Sequence, residues 1–177
     1  MRMKPAKKAN GRRERVAIAL VSSSALAVTG LLAATPASAA EYSSALKVSG
    51  VAYDAPGRDN NSRYGGNTYK EYVKIKNYSR SSTVNLKGYQ VKDAAGHRYT
   101  FSKNHYLQPG DYVKLRGGYG TESDGKNVAY RNNANFIWNN GGDTIYLYKP
   151  SKARADVHAY TKSRNDRDGN GYITFHR

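Results

Sequence analysis

Cysteine is absent from all 177 residues. That removes disulfides, thiol nucleophiles and cysteine-ligated metal from consideration, so the chain must hold itself by its core. Acids are scarce as well: 13 Asp and Glu face 29 Lys and Arg, for a formal net charge of +16. The few carboxylates are dispersed, which argues against a paired-carboxylate or metal-centred hydrolytic site. No Gly-x-Ser-x-Gly elbow, His-Glu-x-x-His pair or phosphate-binding loop occurs. The four histidines, His97, His105, His158 and His176, form no i,i+4 pair, and each reads as a surface or satisfied residue. Heptads, long amphipathic helices and internal repeats are missing too. Residue chemistry thus points away from an enzyme.

What is present begins with a leader. "MRMKPAKKANGRRER" is cationic, "VAIALVSSSALAVTGLLAA" is apolar, and "TPASA" ends in the small-x-small pattern Ala37-Ser38-Ala39. This is the three-part layout of a secretory signal peptide, expected over residues 1–39 with cleavage before Ala40. A retained membrane anchor is the alternative, but Ser22, Ser23 and Ser24 dilute the apolar stretch. Arg12-Arg13 suggests twin-arginine export, yet Glu14 and Arg15 follow, which favours ordinary secretion. The expected location is extracellular or on the cell envelope. Beyond the leader, 22 basic and 12 acidic residues remain, a net charge of +10. Such a charge attracts polyanions at long range and is silent about fold.

The remaining sequence reads as all-β. Short runs rich in Val, Ile, Tyr and Thr alternate with Gly, Asn, Asp and Ser clusters. The expected strands are "ALKVSGVAYD", "EYVKIKN", "STVNLKGYQVKD", "RYTFS", "DYVKLRG", "NVAYR", "NFIWN", "DTIYLYK", "ADVHAY" and "YITFH". Period two assigns the faces: Val73 and Ile75, Val113 and Leu115, and Ile145 and Leu147 point to the core. Tyr72, Lys74 and Lys76, then Tyr112, Lys114 and Arg116, then Tyr146 and Tyr148, point outwards. Cations can neutralise phosphates while tyrosines stack on bases or sugar rings. These eight residues are the candidate ligand contacts. The partner they suggest is an anionic polymer: a cell-wall polymer, an acidic polysaccharide or DNA. Tyr and Thr are also ordinary strand residues, and Lys a solubility device. Whether the three strands share a sheet is not decided by the pattern.

The order of motifs resembles the lamin tail domain in its bacterial secreted form. "EYVKIKNYSRSSTVNLKGYQVKDAAGHRYTF", "LQPGDYVKLRGG" and "FIWNNGGDTIYLY" carry the resemblance, most specifically Ile137 to Thr144. Tyr89 stands where that family usually has Trp, and Lys74 where an acid is common. The resemblance implies an immunoglobulin-like β-sandwich over residues 40–160, following the signal peptide, and it carries over no catalytic residues. Trp138 is then expected to plug the core. A secreted, non-catalytic binding or adhesion module for an anionic extracellular or envelope polymer, or for nucleic acid, is the expected function. The alternatives are an accessory to a metal-dependent hydrolase or nuclease, as in enzyme-fused copies, and a purely structural protein-interaction domain.

Two segments stay open. The loop from Tyr53 to Glu71 is long, polar and Gly-rich, and reads as a recognition loop; Asp54, Asp59, Asn61 and Glu71 could converge on a cation, but Arg58, Arg63 and Lys70 lie among them. The tail, residues 161–177, contains "DRDGNGYI". On the EF-hand template Asp166, Asp168 and Asn170 take positions one, three and five, Gly171 the turn, and Tyr172 a carbonyl ligand. Calcium is the one cofactor this pattern would take. Position twelve, however, is Arg177 rather than Glu, and the preceding residues alternate like a strand. A C-terminal turn leading into an extra strand is the favoured reading.

Overall fold

The computed structural model describes residues 44–62, 66–121 and 127–176; the expected leader, 1–39, lies outside them. Among the described residues eleven strands form: β1 (Leu46–Ala52), β2 (Tyr72–Asn77), β3 (Val84–Asn85), β4 (Gln90–Lys92), β5 (Arg98–Thr100), β6 (Tyr106–Leu107), β7 (Tyr112–Arg116), β8 (Val128–Tyr130), β9 (Gly142–Tyr148), β10 (Arg154–Thr161) and β11 (Tyr172–Thr174). One helical turn, α1 (Lys162–Asn165), precedes the last strand, and a 3-10 turn at Thr68–Lys70 precedes β2. Five strands make one sheet in the order β11-β1-β2-β7-β8, four make a second in the order β10-β9-β4-β5, and β3-β6 form a short ribbon. Neighbours are antiparallel except β7 and β8.

Alternation decides which side chains enter the core. Val73, Ile75, Val113, Leu115, Ile145 and Leu147 are all at most 1% exposed. Each contributes about 1.5–3 kcal/mol by leaving water. Leu46, Val48, Tyr53, Phe101 and Trp138 complete the layer between the sheets, and Tyr89 packs against it half-buried. Trp138 therefore fills the core as its neighbours imply.

Buried polar residues tie the connections. Asn77, wholly buried, places its amide nitrogen 2.8 Å from the carbonyl of Ser82 and 3.0 Å from that of Leu107. Asp143 accepts the N–H groups of Ala94, Thr144 and Asn139, which holds the Asn139–Gly142 turn.

Three strand assignments differ from the alternation pattern. "STVNLKGYQVKD" is two strands, because Gly88 takes φ +86° and carries the chain from the ribbon to the four-stranded sheet. "NFIWN" is not a strand. The N–H groups of Ile137 and Trp138 donate to the buried carboxyl group of Glu71 instead of to a neighbouring backbone. β6 pairs only two residues, too few for period two to register.

Candidate functional site

β2 and β7 are adjacent, so their outward residues form one surface. The register sets Tyr72 opposite Arg116, Lys74 opposite Lys114, and Lys76 opposite Tyr112. Lys74 and Lys114 are thus like charges directly across a strand pair, an arrangement that disfavours the sheet. Each resolves it by leaning diagonally onto a ring. Lys74 Nζ lies 4.1 Å from the Tyr112 centroid, and Lys114 Nζ lies 4.6 Å from that of Tyr72. Arg116 approaches the same Tyr72 ring at 5.6 Å and donates to the Tyr69 carbonyl at 2.7 Å. Lys76 lies 5.0 Å from the Tyr78 ring. Such contacts contribute about 0.5–1 kcal/mol each at exposed sites. Partial burial, together with the charges of Arg116 and Lys74, holds the Lys114 ammonium below its ordinary pKa. Among the described residues no carboxylate lies within ion-pair distance of Lys74, Lys76, Lys114 or Arg116.

Tyr146 and Tyr148 do not join this surface. They stand on β9 in the other sheet, stacked at 6.2 Å, with Lys92 Nζ 5.9 Å from Tyr146. The eight outward residues read from the sequence therefore divide into six on one face and two on the opposite one. Alternation fixes which way a side chain points but not which sheet its strand enters.

The tail enlarges the first face. β11 pairs with β1 so that Tyr172 lies opposite Ala52, which in turn lies opposite Tyr72. The Tyr72 and Tyr172 rings are 6.0 Å apart at 42°. With Lys70, Arg116, Asp54 and Asn170 they line a cleft of about 270 Å³. Gly50 makes room for this. A Cβ there would sit 2.5 Å from the Tyr172 hydroxyl and 2.9 Å from the Ile173 carbonyl.

The calcium-like loop is organised from within. The Asp166 carboxylate, 7% exposed, accepts the Tyr53 hydroxyl and the Gly171 N–H at 2.9 Å. The Tyr53 hydrogen bond, opposed by burial and helped by the Gly171 N–H, holds Asp166 below the usual carboxylate range. Burial and the same bond raise the Tyr53 phenol. Asn170 Oδ1 accepts the Tyr172 N–H at 2.8 Å, an Asx turn, and Asp168 is bound to the Asn170 amide at 2.8 Å. Asp166 is thus tied to Tyr53 and to its own loop, Asp168 and Asn170 are bonded within the loop, and Tyr172 contributes its ring to the cleft. In the Tyr53–Glu71 loop, Asn67 pins Asn60 and the Arg58 carbonyl, and Glu71 is turned inside.

Sequence reasoning missed one constellation. Asp156 and His158 on β10 meet His176 of the tail, the sole group of three potential ligands within 4.8 Å among the described residues. Asp-x-His on a strand was a signal for the first two. The third comes from 18 residues downstream and needs the tail's path.

The two mainly antiparallel layers enclosing one core define an immunoglobulin-like β-sandwich. A family model, the lamin tail domain, matches residues 39–162, and the chain belongs to that family. This is a structural immunoglobulin-like domain, compatible with an interaction module. No curated protein matches the chain. No helix among the described residues is long and apolar enough to cross a membrane.

Proposed function

We propose that the protein is a secreted, non-catalytic binding module that holds an anionic polymer of the cell envelope or its surroundings on the outer face of the five-stranded sheet. The observation that carries this reading is the cation cluster of β2 and β7, Lys74 directly opposite Lys114 with Arg116 on the same face, without a carboxylate partner among the described residues. Phosphate, sulfate or carboxylate groups supply the missing counter-charge at Lys74, Lys114 and Arg116 and relieve their mutual repulsion. Rings of the polymer, sugars or bases, lie against Tyr72 and Tyr172 at the cleft. Binding by charge neutralisation releases counterions, so affinity falls steeply with salt.

Retention on immobilised purified wall polymer, sulfated polysaccharide and double-stranded DNA across a salt series tests it. Lys74→Glu with Lys114→Glu is expected to weaken retention at least roughly 10-fold at low salt and to flatten the salt dependence by about one unit per lost contact. Lys92→Glu, on the opposite face, is expected to leave both nearly unchanged. Retention that is negligible at every ionic strength, or weakened equally by Lys92→Glu, refutes the proposal. The three matrices discriminate phosphate-rich, sulfated and nucleic-acid ligands.

A further inference from the structure

β1 runs past the end of β11, which pairs only with Gly50 to Ala52. The free edge below that point exposes the Val48 N–H, and Asp156 Oδ2, from the edge strand of the other sheet, accepts it at 2.8 Å. The carboxylate is thereby fixed at the seam between the two sheets, 5% exposed, with Lys47 Nζ 4.0 Å from its other oxygen. His158 lies two residues further along β10 on the same side. The tail passes β11, and the Phe175 N–H bonds to the Ser49 carbonyl at 3.0 Å. That contact brings His176 to the same point. His158 Nε2 is 3.3 Å and His176 Nε2 is 3.4 Å from Asp156 Oδ2, and the two imidazole nitrogens are 2.7 Å apart.

Both rings are held by packing. His158 stacks on Phe175 at 4.4 Å and 13°. His176 meets the edge of Tyr78 at 5.9 Å, and the Tyr78 hydroxyl donates to the His176 carbonyl at 3.1 Å. Three ligand atoms of one carboxylate and two imidazoles therefore converge from two separate segments.

We propose that Asp156, His158 and His176 bind one divalent cation of the zinc class. Tetrahedral zinc with bonds of about 2.0–2.2 Å separates neighbouring ligand atoms by about 3.3–3.5 Å. Both carboxylate-to-imidazole distances already match. The imidazole pair, now joined by one hydrogen bond, has to open by about 0.6 Å as the cation replaces the shared proton. Two nitrogens and one oxygen suit zinc, nickel or copper, whereas calcium and magnesium take oxygen donors. The Val48 N–H, bonded to the same Oδ2, fixes the position of the ligating oxygen, as an outer-shell partner does. The histidine side chains are 22% and 35% exposed, so a fourth position faces solvent. A cation there fastens the tail, and with it β11 and Tyr172, to the opposite sheet.

Calorimetric titration of the tag-free chain with zinc, absorption spectroscopy with cobalt(II), and thermal unfolding with zinc or with chelator test this. One equivalent is expected to bind, with visible cobalt absorption and a raised Tm. His158→Ala and His176→Ala are each expected to weaken binding by more than the 10–100-fold that loss of an outer-shell partner causes. Calcium and magnesium are expected to have no effect at the site. His176→Ala lies in a terminal segment outside the core, so the fold survives it and the zinc response alone is read. Binding unchanged in both variants, or absent from the parent chain, overturns the proposal.

Discussion

Glu71→Gln should make the protein more stable at neutral and alkaline pH, although it removes a buried carboxyl group. Glu71 is 2% exposed at the start of β2, where its carboxyl group accepts the N–H groups of Ile137 and Trp138. Burial, and then the negative charge of Asp59, push its pKa from 4.5 to about 8; the two N–H donors oppose the rise without cancelling it. The folded chain thus keeps a proton that the unfolded chain releases above pH 4.5. Stability contributed by that proton is complete below pH 4.5 and is lost as pH climbs to about 8, after which the loss is constant. At about 1.4 kcal/mol per pH unit the full loss is on the order of 4–5 kcal/mol, with about 3 kcal/mol already gone at pH 7. Glutamine retains a carbonyl oxygen for both N–H groups and cannot ionise. Urea denaturation of both proteins at each pH from 5 to 9 reads the difference, with other titrating groups cancelling between them. The two curves should nearly meet at the acid end and diverge upwards in pH. Parallel curves, or a glutamine variant less stable at pH 9, would refute the reasoning.

Asp166→Ala strands the Tyr53 hydroxyl and the Gly171 N–H and should cost on the order of 2 kcal/mol, equally with calcium or with chelator. If calcium instead raises the Tm of the parent and not of this variant, the loop is a calcium site. Gly50→Ala drives a Cβ against the Ile173 backbone, so the amides of β11 should exchange with solvent much faster while those of β2 and β7 keep their protection. Unchanged exchange in β11 would show that the edge accommodates the methyl group.

Much of the architecture was legible because period two is a local property. Val73, Ile75, Val113, Leu115, Ile145 and Leu147 could be assigned inward from four or five neighbouring letters, and all six are buried. The family motif from Ile137 to Thr144 was equally readable, and its glycines and Asp143 make the turn those letters imply. "NFIWN" misled because two of its apolar residues, Ile137 and Trp138, enter the core as a strand's would. What distinguishes it is the acceptor for its N–H groups, a side chain more than 60 residues earlier in the sequence.

By itself, then, the sequence determined the fold class, the inward and outward faces of each clear strand, and a basic, tyrosine-rich exterior, since each follows from neighbouring residues and composition. Strand order was a tertiary decision. It set β2 beside β7 to gather Lys74, Lys114 and Arg116, and put Tyr146 and Tyr148 on the far side. Adding β11 to the edge of β1 was another. That pairing moved Tyr172 next to Tyr72 and carried His176 to Asp156 and His158. Contacts between distant segments form only when the core closes, and no local pattern encodes which segments will meet.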